Sequence, residues 1–273
     1  MVKKAIPFIL IFACFISTEA FGGVLVPFQE EQVQTVGLKS NYNEYSNEKK
    51  AWYFKKNTTN EPTQGPTDID LSKYNACYLG DTSRKVIYIT FDQGYENGLT
   101  TSILDILQKK NVPAAFFMCN HYIKSSPDLV KRMMDEGHLV ANHTNKHHSM
   151  PSLTAEQMAA EILECAELFK ETAGVDMPLF FRPPMGEYSE RSLAVTRDLG
   201  YKTVFWSFAY KDWIEKEQPG REKALKAMVD NMHSGCIMLL HAVSKSNEEA
   251  LEEFIDTARA AGYDFESLTS LPN

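Results

Sequence analysis

From Val86 onward the chain alternates between two spacings, and this constrains its fold more than any other feature. Short β-rich runs occur at Val86–Phe91, Ala114–Met118, Leu139–Ala141, Leu179–Phe181, Thr203–Trp206 and Ile237–Leu240. Segments with helical spacing separate them: Leu99–Lys109, Pro127–Glu136, Ala155–Thr172, Glu190–Leu199, Glu222–Met232 and Asn247–Ala261. Gly262 followed by Tyr263–Phe265 reads as a closing strand. Strand alternating with helix predicts an α/β fold built of βαβ units around a mostly parallel sheet. About seven such units are too few for a full eightfold barrel, so a distorted, incomplete (β/α) barrel is expected. No internal repeat is visible.

Ahead of this region the character changes. Lys3 and Lys4, the apolar run Ala5–Ile16 and the small residues around Thr18-Glu19-Ala20 follow the order of a secretory signal. The apolar run is shorter than the ~20 residues of a membrane-spanning helix. The expected product is exported and extracytoplasmic, with an uncleaved membrane anchor as the alternative. Phe12, two places before Cys14, argues against lipidation of that cysteine. Residues 21–85 read as an N-terminal extension and linker, punctuated at Asn57–Asp68 by Pro, Gly and Thr. Within it Trp52, Tyr53 and Phe54 form an aromatic cluster. Its plainer reading is packing onto the main domain, and its functional one is a sugar-stacking platform. The five cysteines contain no CxxC pair, so neither a thiolate zinc site nor a disulfide scaffold is indicated. Cys119 and Cys236 sit in apolar runs and read as small buried hydrophobes. The net charge of −8 argues against nucleic acid, whose non-specific binding requires a basic surface.

Polar residues cluster at the ends of the β-rich runs. Asp92-Gln93, His143, Arg182, Asp212 and His241 each follow one of them. In parallel α/β folds these ends share one face, where active sites lie. His143 and His147 are four apart, and on a helical turn both rings would reach one ion. His148 would point elsewhere. Asp92 is placed to act as a base on a metal-activated water, or simply to cap the turn at Gly94. Arg182, in the stiff Arg-Pro-Pro-Met-Gly segment, can hold a carboxylate ionised, or be a surface residue beside a turn. Asp212 lies among aromatic residues in Trp206–Trp213 and reads as part of a sugar-binding wall or as a cap. His241 alone would more ordinarily be a satisfied structural histidine.

Taken in order, Thr90-Phe91-Asp92-x-Gly94, His143-Thr144-x-x-His147, Arg182-Pro183-Pro184-x-Gly186, Asp212-Trp213 and Leu239-Leu240-His241-Ala242 resemble the motif series of the polysaccharide deacetylases (NodB-homology domain, carbohydrate esterase family 4). The likeness covers residues 86–268, the expected catalytic domain. It implies a distorted barrel of the NodB-homology type, a divalent metal, usually zinc, and hydrolysis of N-acetyl groups on a glycan. Carried over by residue, Asp92 is the base, and His143 and His147 are metal ligands. Arg182 orients Asp92, His241 is the general acid and Asp212 supports it. The backbone N–H of Met185 helps stabilise the oxyanion.

One position departs from that pattern. The family usually has a second Asp where this chain has Gln93, so the third expected ligand is a neutral amide. A carboxamide oxygen coordinates without the attraction of a full charge. The surrounding segments, with Gly186–Ala194 and Phe205–Trp213, resemble the delta-lactam-biosynthetic deacetylases of bacterial spore cortex. That likeness implies action on peptide-free N-acetylmuramic acid in peptidoglycan glycan strands. The alternatives are an N-acetylglucosamine deacetylase acting on peptidoglycan or chitin-type glycans, and a metal-free glycan-binding protein.

Overall fold

The computed structural model describes residues 41–56 and 59–272. The expected signal segment and Cys14 lie outside the described residues. The strands are β1 (Lys50–Ala51), β2 (Ala76–Cys77), β3 (Val86–Gln93), β4 (Ala114–Met118), β5 (Leu139–Asn142), β6 (Phe180–Phe181), β7 (Glu187–Tyr188), β8 (Lys202–Val204), β9 (Cys236–His241) and β10 (Asp264–Phe265). The helices are α1 (Thr100–Lys110), α2 (Asn120–Ser125), α3 (Pro127–Asp135), α4 (Ala155–Ala173), α5 (Glu190–Asp198), α6 (Arg221–Asn231) and α7 (Lys245–Ala260).

Eight strands form one sheet in which every pairing is parallel. Its path runs β3-β4-β5-β6-β8-β2, with β9 and β10 also paired to β3. The sheet curls until its two ends nearly meet. Beyond β8, the Ser207 amide donates to the Ile237 carbonyl (2.9 Å) and the Leu239 amide to the Phe208 carbonyl (2.9 Å). A single isolated bridge, Phe208 with Met238, rather than a continuous ladder, joins that stretch to β9. The result is the incomplete barrel expected from the unit count.

Local signals set the element ends. Thr154 and Gln157 form a reciprocal capping box at the start of α4, and Gly174 ends that helix in the left-handed conformation. Pro127 occupies the first turn of α3, where its missing N–H costs nothing. Helix α2 lacks a strong sequence signal and is not among the expected segments.

Alternation along β3 sorts its side chains into two layers. Ile87, Ile89 and Phe91 join the cluster formed with the helices, which includes Phe116, Met238, Leu240 and Phe254. Tyr88 joins the other cluster, with Ala115, Phe117, Ala141, Val204 and Ile237. That second set fills the barrel interior. Both faces of the sheet are therefore buried, as a parallel sheet requires.

The segment before Val86 is part of this structure. β2 pairs with β8, and β1 pairs antiparallel with β7. Trp52 is buried and stacks on Phe205 with ring centroids 4.3 Å apart. Its indole N–H donates to the Trp206 carbonyl (2.9 Å). Tyr53 is exposed, so the aromatic cluster divides between packing and surface. Cys119 and Cys236 are buried, and the described cysteines are free. Among the described residues no helix is long and apolar enough to cross a membrane.

Removing the indole should therefore unfold more than the N-terminal segment. Trp52→Ala is expected to lower stability by about 3 kcal/mol, read as a fall in the urea midpoint. An unchanged midpoint would mean that residues 41–85 do not brace the barrel.

Candidate active site

Alternation also places the reactive groups. On β3, Tyr88, Thr90 and Asp92 share one face, and on β9, Ile237, Leu239 and His241 do. The two strands pair in register from Ile87 with Cys236 to Asp92 with His241. Asp92 and His241 are thus neighbouring inward residues at the C-terminal rim. A cleft of about 550 Å³ opens there, lined by both of them and by Gln93, His143, His147 and Trp213 among others.

Asp92 is held from behind. Arg182 is wholly buried, and its Nη1 donates to Asp92 Oδ1 (2.9 Å) and Thr90 Oγ1 (2.8 Å). Its Nε donates to the Val204 carbonyl (2.9 Å), and Nη2 to the Phe205 carbonyl (3.3 Å). The guanidinium lies 4.1 Å from the centre of the Phe117 ring. Burial pushes the Asp92 carboxyl upward, but the positive charge of Arg182, aided by His143 and His241, more than reverses this. The group is held below its ordinary value, as a carboxylate.

The two histidines of the His-x-x-x-His segment meet, though not on a helix. Residues 143–149 form an irregular loop. Thr144 and His147 adopt positive φ (74° and 58°), which folds the loop back. The rings come to 5.0 Å between centroids. The Thr144 hydroxyl accepts from the His147 amide (2.9 Å), and Glu161 accepts from the Lys146 amide (2.8 Å). His148 turns away to Glu161 (2.9 Å). The expectation of a helical turn is thus corrected: left-handed residues, not i,i+4 periodicity, bring the rings together.

The donor set suits a divalent cation. His143 Nδ1 lies 2.8 Å from the Arg182 carbonyl, an acceptor only, so the ring proton sits there and Nε2 keeps a lone pair. Burial lowers His143 to about 4 and also lowers His147, so both rings are neutral near pH 7. The Gln93 side chain is buried in the same cleft, and neither of its amide atoms has a hydrogen-bond partner. An orphaned buried amide in the same cleft as two neutral imidazoles is the arrangement a bound ion would satisfy. Among the described residues, no three His, Cys, Asp or Glu side chains form a ligand group. The fit therefore depends on Gln93.

Across the β3–β9 pairing from Asp92 lies the second titratable pair. Asp212 is buried, and its Oδ1 lies 2.8 Å from His241 Nδ1. Its Oδ2 accepts from the His241 amide (2.8 Å). Burial alone would lower His241, but the hydrogen bond and charge of Asp212, with Asp92 beyond, raise it above its ordinary value. Met185 sits at the rim with φ 58° and an exposed side chain. Next to it, a Cβ on Gly186 would lie 2.6 Å from the Trp206 ring, so only glycine fits.

All eight sequence-selected residues (Asp92, Gln93, His143, His147, Arg182, Met185, Asp212 and His241) thus belong to one cleft and its supports. Sequence reasoning missed Thr90, the Val204 and Phe205 carbonyls, and Tyr95. Thr90, which opens the Thr-Phe-Asp-x-Gly motif, and Tyr95, two places after Gln93, had a positional signal. Tyr95 lines the cleft and its hydroxyl donates to Glu215 (2.6 Å).

Residues 79–204 match the polysaccharide deacetylase family model. The chain belongs to that family, the polysaccharide deacetylases of carbohydrate esterase family 4. It is similar to the peptidoglycan-N-acetylmuramic acid deacetylase PdaA of Bacillus subtilis, 41% identical over 82% of this chain and 86% of the relative. The PdaA structure superposes with a TM-score of 0.81 over 83% of this chain and 97% of that one. A peptidoglycan-N-acetylglucosamine deacetylase of Bacillus cereus is 32% identical over 69% of this chain and 89% of its own length.

The two shifts define a working window. A carboxylate below its ordinary value and an imidazolium above its own coexist between the two pKa values, giving a bell-shaped kcat/KM profile. Asp212→Asn removes a charge that helps to offset burial, so the alkaline limb should move to lower pH while the acid limb stays. An alkaline limb at its original position would show that His241 does not set it.

Proposed function

We propose that this enzyme hydrolyses the N-acetyl group of N-acetylmuramic acid in peptide-free peptidoglycan strands, supplying the free amine from which muramic delta-lactam forms. The observation that carries the reaction is the pairing of Asp92 with His241 across adjacent strands. One group is held below its ordinary pKa as a carboxylate and the other is raised above its own, side by side on the rim of one cleft.

Asp92 takes a proton from the attacking water as it adds to the acetamide carbon. Arg182 keeps Asp92 ionised beforehand and fixes the oxygen that faces away from the cleft. The backbone N–H of Met185 would donate to the oxyanion that develops. His241 then delivers a proton to the departing amine nitrogen, and acetate leaves. Asp212 stabilises the imidazolium until that transfer. His143, His147 and Gln93 would hold a divalent cation, zinc by family resemblance, which would supply Lewis-acid polarisation and lower the pKa of water. Trp213, half exposed beside His241 with ring centroids 5.6 Å apart, offers a face to the sugar.

Two observations favour muramic acid. PdaA shares a larger fraction of identical residues than the N-acetylglucosamine deacetylase does. Peptide-free muramic acid also carries a lactyl carboxylate beside the acetamide. A neutral Gln93 in the cleft avoids the repulsion that a further carboxylate would exert on it. Action on the cell wall requires export, which the charged and apolar order of residues 1–20 would provide.

The test is acetate release from defined strands with and without stem peptides. Peptide-free strands should release acetate, chelation should suppress it and added zinc should restore it. Asp92→Asn and His241→Ala should each lower kcat by about a hundredfold or more. Release that is unaffected by Asp92→Asn, or absent from peptide-free strands with zinc present, would refute the assignment.

A further inference from the structure

Asp212 sits within a buried network that extends behind His241, and the hydrolytic reading above makes no use of its far side. Its carboxylate accepts three hydrogen bonds: from the His241 amide (2.8 Å), from His241 Nδ1 (2.8 Å) and from Asn247 Nδ2 (2.6 Å). Asn247 belongs to the first turn of α7 and is wholly buried. Its Nδ2 also lies 3.1 Å from the His241 carbonyl, and its Oδ1 accepts from the Tyr210 hydroxyl.

The donor and acceptor roles are forced. A carboxylate and a carbonyl only accept, so the NH2 of Asn247 must face Asp212 and His241. Its oxygen is then left for Tyr210, which must donate. Capping does not explain the residue, because the Ser244 hydroxyl already accepts from the Asn247 backbone amide (3.2 Å). Packing does not explain it either, because leucine fills a similar volume without burying an amide.

We propose that Asn247, oriented by Tyr210, is a positioning residue for His241. It locks Asp212 in the rotamer that keeps the His241 proton on Nδ1 and leaves Nε2 to exchange protons with substrate. The neutral amide fixes the carboxylate without cancelling its charge. A lysine or arginine there would weaken the support that Asp212 gives to an imidazolium. The other charged or titratable groups acting on His241 are Asp92 from β3, Arg182 from the loop after β6, and His147 from the loop after β5. None of these changes in the variants below. The proposal rests on the reading of His241 as the acid.

Full-length protein carrying Asn247→Leu or Tyr210→Phe would be compared with the parent in two measurements. The first uses nitrogen chemical shifts of isotope-labelled histidine, which report the His241 tautomer without any turnover. The second is the pH profile of kcat and KM for acetate release. In the parent, neutral His241 should carry its proton on Nδ1. Asn247→Leu should mix the tautomers and lower kcat by about ten- to a hundredfold, with KM little changed. Tyr210→Phe should act in the same direction and less strongly. A pure Nδ1–H tautomer with an unchanged profile in folded Asn247→Leu would overturn the proposal. If that variant does not fold, the same result in Tyr210→Phe would overturn it. A parent that released no acetate would instead refute the deacetylase reading, and the tautomer would still decide whether Asn247 positions the ring.

Discussion

The parallel pairing of β3 with β9 is the constraint on which the rest of the site depends. It aligns Asp92 with His241 at the rim and stacks Tyr88, Thr90, Ile237 and Leu239 beneath them. Side chains alternate with a period of two, so a slip of one residue would turn either group out of the cleft and expose its apolar neighbours to the wrong layer. The register is therefore enforced by burial along the whole strand pair. Ile87, Ile89 and Phe91 on the helix side, with Met238 and Leu240 opposite, are each essentially inaccessible. Full burial of one such side chain contributes about 1.5–3 kcal/mol. The chemistry at the rim inherits its precision from this apolar base.

Arg182 is the costly member of the arrangement. A buried guanidinium is tolerable only when its donors are satisfied and its charge is paired. Here Thr90, Asp92 and the carbonyls of Val204 and Phe205 meet the donors, and the Phe117 face meets the charge. The N-terminal segment braces the same region, since Trp52 stacks on Phe205 and binds the Trp206 carbonyl. Replacing the arginine would leave Asp92 without its main countercharge. Residues ahead of Val86 thus support the catalytic wall through two intermediaries, without entering the cleft.

Much of this was legible in the sequence because two periodicities differ. The β-rich runs and helical segments predicted the strand and helix order, and most ends moved by only one or two residues. Polar residues at run ends then predicted one shared face. What stayed hidden has specific physical causes. Helix α2 is too short to show a period, and β2 lies in a stretch read as linker. The His143–His147 turn depends on positive φ at Thr144 and His147, which neither residue type advertises. The carbonyls that hold Arg182 carry no side-chain signature at all. Asn247 is disguised by its place in a helix first turn, where asparagine is common.

Gln93 removes one negative charge from a cleft that already contains Asp92, which suits an anionic muramic acid. The most direct test is mass spectrometry of peptide-free peptidoglycan strands after treatment with the purified enzyme and zinc. The account predicts loss of acetyl from muramic acid, with N-acetylglucosamine intact. A free amine on glucosamine, with muramic acid still acetylated, would contradict it.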